Sequence, residues 1–352
     1  MRATGQRTRT TLSVAVFVAA LGAGLGWGVG PGCTHRVPDP HAKITVQPTP
    51  PHAVTAREPG PMRVVVTIAP LAGLVRELAP PNCTVTTLIA PGQSEHGYEF
   101  TPEDLAALAR ADLVVYNGLG LEAKVDRFVR ECPSAARVDF CAAGELGLAQ
   151  PEGAMPHGAG HHADDDDDDH GPVDVHVWLD PALVRAIVPK LAAALDRAGD
   201  LPGVPPTGAS PSVDAVLARI DELDREYRRR LTPLAGRAIV THHNAWSRLA
   251  SRYGLRVAAV IRPVESSEPT PGQIAACVHA IREQGVRTIF VEPQFDGSAA
   301  RHVAASAGVE VRVLDPLGDG DWFKVMYANL DALAGGLAPA AAGTLRTTPG
   351  GS

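Results

Sequence analysis

The chain has 352 residues, of which 45% are hydrophobic, 20% charged and 5% aromatic, with a formal net charge of −7. That is enough for two ordinary domains whose cores are built from Ala, Val and Leu rather than aromatic rings. Six of the negative charges are the run Asp164 to Asp169, so the remainder is close to neutral, and no basic field is left to attract nucleic acid.

Residues 1–33 read as an export signal. Arg2, Arg7 and Arg9 precede an apolar, small-residue core from Thr11 to Gly30, the order of a signal peptide. Cys33 follows directly, and two readings stay open: a lipidated cysteine that tethers the protein to a membrane, or an ordinary leader. Either way the mature protein works in the periplasm or an equivalent extracytoplasmic space. Residues 34–61 are Pro-rich and unpatterned, a tether. Export permits disulfides. Cys83, Cys132, Cys141 and Cys277 admit three complete pairings or free buried thiols, and their spacing does not choose among these.

The next stretch, residues 62–209, alternates strand and helix. Arg63 to Ile68 is an apolar strand, and Leu71, Leu74, Val75 and Leu78 follow with helical spacing. Thr84 to Ile89 is a second strand, broken by Pro91-Gly92. Thr101-Pro102-Glu103-Asp104 then starts a helix with a cap, a first-turn proline and acidic residues at its positive end. His96 is thereby presented on a loop at the carboxyl end of a strand, where open α/β sheets place their ligands. Asp112 to Tyr116 is a third strand and Glu122 to Arg130 a helix. From Ala142 to Val173 the periodicity dissolves, with residues 151–172 a His/Asp-rich loop. Val175 to Leu179 reads as a strand carrying His176 on the face it shares with Trp178, and Asp180-Pro181 opens another helix.

Residues 210–232 hold the most strongly patterned helix, with Val213, Val216, Leu217, Ile220, Leu223 and Tyr227 on one stripe. It suits a strut between two lobes, although an ordinary surface helix has the same stripe. Residues 233–337 repeat the α/β rhythm: strands at 237–241, 256–261, 288–292 and 309–314, and a closing helix at 322–337. Residues 338–352 are a Pro/Gly/Thr tail. Repeated strand–helix alternation predicts parallel sheets with right-handed crossovers.

His243 and Asp315 stand at strand-to-loop junctions like that of His96. His242 and His243 are adjacent, so at most one of them points at a common site. Asp315 is equally suited to forming a turn. Three imidazoles, His96, His176 and His243, with the Asp315 carboxylate make a nitrogen-rich ligand set suited to four-coordinate zinc. Glu95 is a further candidate that competes with Asp315 for one position. His157, His161, His162 and His170, interleaved with the Asp run, suit either weak metal capture or a plain solvated linker. There is no C-x-x-C, phosphate loop, G-x-S-x-G or H-E-x-x-H, and Gly118-Leu-Gly120 lacks the third glycine of a dinucleotide fingerprint.

Several longer pieces resemble the zinc and manganese solute-binding proteins of bacterial ABC transporters, the ZnuA/TroA-like or cluster A-I family. They are Ala-Pro-Leu at 69–71, Pro-Gly-Gln-Ser-Glu-His-Gly-Tyr-Glu at 91–99, and Ala-Asp-Leu-Val-Val-Tyr-Asn-Gly-Leu-Gly-Leu-Glu at 111–122. With them go His-Val-Trp-Leu-Asp-Pro at 176–181, His-Asn-Ala-Trp at 243–246, Val-Glu-Pro-Gln-Phe at 291–295 and Leu-Asp-Pro-Leu-Gly at 314–318. The resemblance implies an α/β fold of two parallel-sheet lobes joined by one long rigid helix. It places the metal between the lobes, with His96, His176, His243 and Asp315 as ligands. It further implies a monomeric, non-enzymatic receptor that delivers Zn²⁺ to an ABC permease. His at the third ligand position, the acidic His-bearing loop and Glu95 beside His96 look like the zinc-type members. The rivals are a manganese receptor of the same family and a zinc hydrolase using Glu95 as base.

Overall fold

Runs of β-branched and apolar residues build two four-stranded sheets in the computed structural model, which describes residues 60–96, 98–148, 174–206, 208, 210–263 and 268–338. The first sheet holds β1 (Met62–Val66), β2 (Cys83–Thr87), β3 (Leu113–Tyr116) and β4 (Val138–Cys141), in the order β2-β1-β3-β4, all parallel. The second holds β5 (Ala238–Thr241), β6 (Arg256–Val260), β7 (Thr288–Val291) and β8 (Glu310–Val313), in the order β6-β5-β7-β8, also all parallel. β3 and β5 are buried at every residue. This is the continuous apolar character of parallel strands covered on both faces. In each sheet the chain first builds outward on one side and then returns to the other, so a switch point lies between β1 and β3 and another between β5 and β7.

The sequence writes most of the helix starts. α1 (Ala69–Leu78) has Pro70 in its first turn. α2 (Pro102–Arg110) begins with a capping box in which Thr101 Oγ1 accepts from Asp104 N and Asp104 Oδ2 accepts from Thr101 N. α3 (Ala123–Glu131) and the short α4 (Ala142–Glu145) complete the crossovers of the first lobe. α5 (Pro181–Gly199) is capped by Asp180, whose Oδ1 accepts from Ala182 N at 2.9 Å. α7 (Ser247–Arg252), α8 (Pro271–Glu283) and α9 (Ser298–Ala307) belong to the second lobe. α10 (Trp322–Leu337) closes the described chain.

α6 (Val213–Leu231) connects the lobes. Val216, Ile220, Leu223, Tyr227 and Leu231 form its buried stripe, packed on α5 and α10. Tyr227 Oη donates to the Met326 carbonyl at 2.7 Å, and its ring stacks on Tyr253 at 4.8 Å. The opposite face is laced with Arg–acid pairs such as Arg228–Asp224. One hydrophobic core runs through both lobes, from Val64 and Phe140 through Ile220 and Leu223 to Phe290 and Leu330.

Two details differ from the sequence expectations. β4 was not among the expected strands, because two of its four residues, Asp139 and Cys141, do not read as apolar. The stretch expected as a strand at 175–179 contains instead a 3-10 turn at Val177–Leu179, with His176 as its N-cap. Its alternation is that of a buried turn flanked on both sides, with Val175, Val177, Trp178 and Leu179 all fully buried. Cys83, Cys132, Cys141 and Cys277 are all unbridged. The export signal, Cys33, the tether up to residue 59, the 151–172 loop and the tail beyond Ala338 lie outside the described residues.

Because Leu223 is fully buried where α6 meets its neighbours, Leu223→Ala should destabilise the protein by about 2–5 kcal/mol. Denaturant unfolding would show this as a lower midpoint. Truncating Arg225 on the exposed face should leave that midpoint essentially unchanged.

Candidate metal site

Four side chains from three distant parts of the chain meet at one place. Ligand-capable atoms of Glu95, His96, His176 and His243 all lie within 4.8 Å of one another. His176 Nε2 is 3.2 Å from His96 Nε2 and 3.1 Å from His243 Nε2. The three ring centroids are 5.0 to 5.4 Å apart. Glu95 Oε1 lies 3.5 Å from His176 Nε2 and 3.9 Å from His96 Nε2.

Each side chain is delivered by a strand end or a braced turn. Glu95 and His96 lie on the loop between β2 and α2, with Ser94 Oγ accepting from His96 N. Tyr98 ties the end of that loop down by donating to the Leu88 carbonyl at 3.2 Å. His243 follows β5, next to the second switch point. His176 is held from below by the first switch point. There Asn117 Nδ2 donates to the Val175 carbonyl at 2.9 Å. Asn117 is itself fixed by the buried Glu122 carboxylate, which accepts from Thr67 Oγ1, Asn117 N and Gly118 N. Gly118 has φ +88°, and a Cβ there would meet Cys141 Sγ at 2.5 Å. Only glycine satisfies both constraints at this turn.

The outward-facing ring nitrogens are oriented by carboxylates. His176 Nδ1 is 2.8 Å from Asp174 Oδ1, and His243 Nδ1 is bonded to Glu292 Oε2. Glu292 also accepts from Trp246 Nε1 at 3.3 Å. With Nδ1–H given to a carboxylate, the neutral tautomer presents an Nε2 lone pair inward. This carboxylate–imidazole arrangement is the one that orients metal-binding histidines.

The electrostatics of Glu95 are those of a ligand. The residue is 1% exposed, and neither carboxylate oxygen has a hydrogen-bond partner. The 3.5 Å approach of His176 Nε2 gives Coulombic attraction but exceeds an ordinary hydrogen bond. Burial alone would raise the Glu95 carboxyl. The imidazoles of His176, His96 and His243 override it and hold the group down to about 2. Burial likewise pushes His176 down, and Asp174 and Glu95 override it, raising the imidazole to about 10. Each charge is thus tolerable only in the presence of the others.

Of the two adjacent histidines, His243 faces the cluster. His242 turns away onto Phe295, at 4.8 Å between ring centroids, and burial lowers its pKa. Asp315 is not brought into the group. Its Oδ1 accepts from Gln294 Nε2 at 2.7 Å, Leu317 N at 3.0 Å and Gly318 N at 2.9 Å, so that oxygen is taken up in making the turn after β8. Of the two candidate carboxylates, Glu95 is the one that stands with the three imidazoles. Asp174 and Glu292 were not singled out from sequence, although Glu292 stands inside the 291–295 piece and Asp174 lies two residues before the one that begins at His176. The signal was the need of each metal-facing imidazole for a second-nitrogen acceptor. His157, His161, His162 and His170 lie outside the described residues. Two surface cavities of the second lobe, lined by residues such as Arg237 and Arg287 or Ile274 and Val278, involve none of the four clustered residues.

The zinc-binding lipoprotein AdcA of Streptococcus pneumoniae strain R6 is 26% identical over 288 residues, covering 78% of this chain and 55% of AdcA. The chain therefore spans about half the length of that relative. The manganese ABC transporter substrate-binding lipoprotein PsaA of Streptococcus mitis is 25% identical over 295 residues, covering 79% of this chain and 89% of PsaA. The solved periplasmic zinc-binding protein TroA of Treponema pallidum has the same two-lobed fold. It aligns with a TM-score of 0.63 at 20% identity, over 80% of this chain and all of TroA. The family described as zinc-uptake complex component A, periplasmic, matches residues 64–336, and the chain belongs to that family, whose members are binding components of metal transport systems and not enzymes.

Proposed function

We propose that the protein binds Zn²⁺ through Glu95, His96, His176 and His243 and hands it, as cargo, to the membrane permease of an ABC importer. The observation that carries this reading is the Glu95 carboxylate: buried, without a hydrogen-bond donor, and turned toward three converging Nε2 atoms. An unsatisfied buried carboxylate is costly, and a cation shared with three imidazoles removes the cost. Nitrogens about 2.0–2.1 Å from a tetrahedral Zn²⁺ stand about 3.3–3.4 Å apart, close to the 3.1 and 3.2 Å separations found here. Glu95 fills the fourth position, which leaves no open site for an activated water and argues against hydrolysis.

Manganese is the second reading, favoured by the similarity to PsaA. The donor set supports zinc instead, since three of the four ligands are nitrogens and manganese favours oxygen. In this reading the lobes comprise residues 62–209 and 233–337, with 210–232 as the linking helix. An export signal over 1–33, a lipid tether at Cys33 and a monomeric mature form complete the proposal. It is in keeping with the lipoprotein named among the relatives.

Competition titration with a chromogenic chelator should give one tight Zn²⁺ site per chain and weaker Mn²⁺. His243→Ala should weaken Zn²⁺ by more than about 100-fold, beyond what loss of an outer-shell partner does. Tighter Mn²⁺ than Zn²⁺ would overturn the zinc assignment.

Metal binding should also be proton-coupled. Zn²⁺ takes neutral imidazole, and His176 keeps its proton up to about pH 10 in the metal-free site. Zn²⁺ must expel that proton, so affinity should rise as pH is raised from neutrality toward 10. Calorimetry at pH 7 in buffers of different ionisation heat should report release of about one proton per ion. Heats independent of the buffer would contradict the charge state assigned to His176.

A further inference from the structure

The segment that carries His176 is held by the second lobe as much as by the first. Arg248, in the first turn of α7, donates through its backbone N–H to Asp174 Oδ2 at 3.0 Å. Its guanidinium Nε donates to the Asp174 carbonyl at 2.8 Å. Asp174 Oδ1 is the acceptor that orients His176. One turn further along α7, Arg252 ion-pairs with Asp180, the cap of α5. Between these points Trp178 Nε1 donates to the Pro316 carbonyl at 2.7 Å, and the Trp178 carbonyl accepts from Trp322 Nε1 at 2.8 Å. Residues 174–180 are therefore fastened to α7 and to the loop before α10, while Asn117 fastens Val175 to the first sheet.

We infer that Arg248 is a positioning residue for the metal site. It fixes Asp174, and through Asp174 the direction in which His176 presents Nε2, so that the affinity of the site depends on where α7 lies relative to residues 174–180. The inference rests on the metal reading above. A carboxylate that must hold an imidazole at a fixed angle needs its own position fixed, and a two-point grip on its carboxyl and its carbonyl does this. Arg248 supplies both points from the opposite lobe. Movement of α7 away from residues 174–180 would release Asp174, let the His176 ring turn, and lower the hold on the ion without breaking any metal–ligand bond directly. A permease that draws the lobes apart has this lever available for unloading.

The test uses Arg248→Met, which keeps the apolar stem and removes the guanidinium, alongside Arg248→Lys, Asp174→Ala and the Arg248→Met/Asp174→Ala pair. The full chain is titrated with Zn²⁺ against a chelator, and with Co²⁺ while its visible absorption reports ligand geometry. Arg248→Met should weaken Zn²⁺ about tenfold, in the range of outer-shell partners, and broaden the Co²⁺ bands. Its metal-free unfolding midpoint should stay close to that of the unaltered protein. Arg248→Lys should recover part of the affinity. In the Asp174→Ala background, Arg248→Met should cost little more, because the route through Asp174 is already gone. Unchanged Zn²⁺ affinity and Co²⁺ spectrum in Arg248→Met, or fully additive losses in the double variant, would overturn the inference. Failure of the unaltered protein to bind Zn²⁺ tightly would overturn the metal reading and this inference with it.

Discussion

Burying a carboxylate with no ordinary hydrogen bond to either oxygen is among the costlier arrangements a fold can hold. Glu95 is in that position, and the three imidazoles facing it make it tolerable. The dependence runs both ways. A proton on His176 is welcome only because Glu95 and Asp174 are ionised beside it. The cluster is thus a set of charges that balance in the metal-free protein and are rebalanced by a cation. Most of the remaining architecture keeps these groups from relaxing apart.

That restraint comes from the way the two sheets are built. Each has its switch point beside the cluster, and each switch point contributes a rigid bracket. In the first, Glu122 gathers Thr67, Asn117 and Gly118, and Asn117 then grips Val175. In the second, Glu292 after β7 steadies His243 after β5 and is itself steadied by Trp246. A shared core beneath, threaded by α6, keeps the brackets in register. The hydrogen bonds within these brackets offset the cost of holding Glu122, Asn117, His243 and Glu292 so deep.

Much of this was legible in the residues themselves. The Thr101-Pro102-Glu103-Asp104 start, the Asp180-Pro181 start and the closing helix at 322–337 are local signals, and local signals survive folding. The argument that only one of His242 and His243 could face the site needed nothing beyond the geometry of an extended chain. The fourth ligand position was different. Asp315 and Glu95 are both carboxylates beside strand ends, and what separates them here is whether nearby N–H groups have already claimed an oxygen. Leu317 N, Gly318 N and Gln294 claim Asp315, while no donor claims Glu95. Those are tertiary facts. The same holds for the turn at Val177–Leu179, whose apolar run looks like a strand until both of its sides prove to be covered.

The indole of Trp178 lies with its ring centroid 5.1 Å from that of His176, edge to face, and wholly shielded from water. A protonated imidazole at that range drains the excited state of an indole, and a neutral, ion-bound one does so far less. Any change in the charge or angle of the His176 ring is therefore felt directly by an indole that water does not reach.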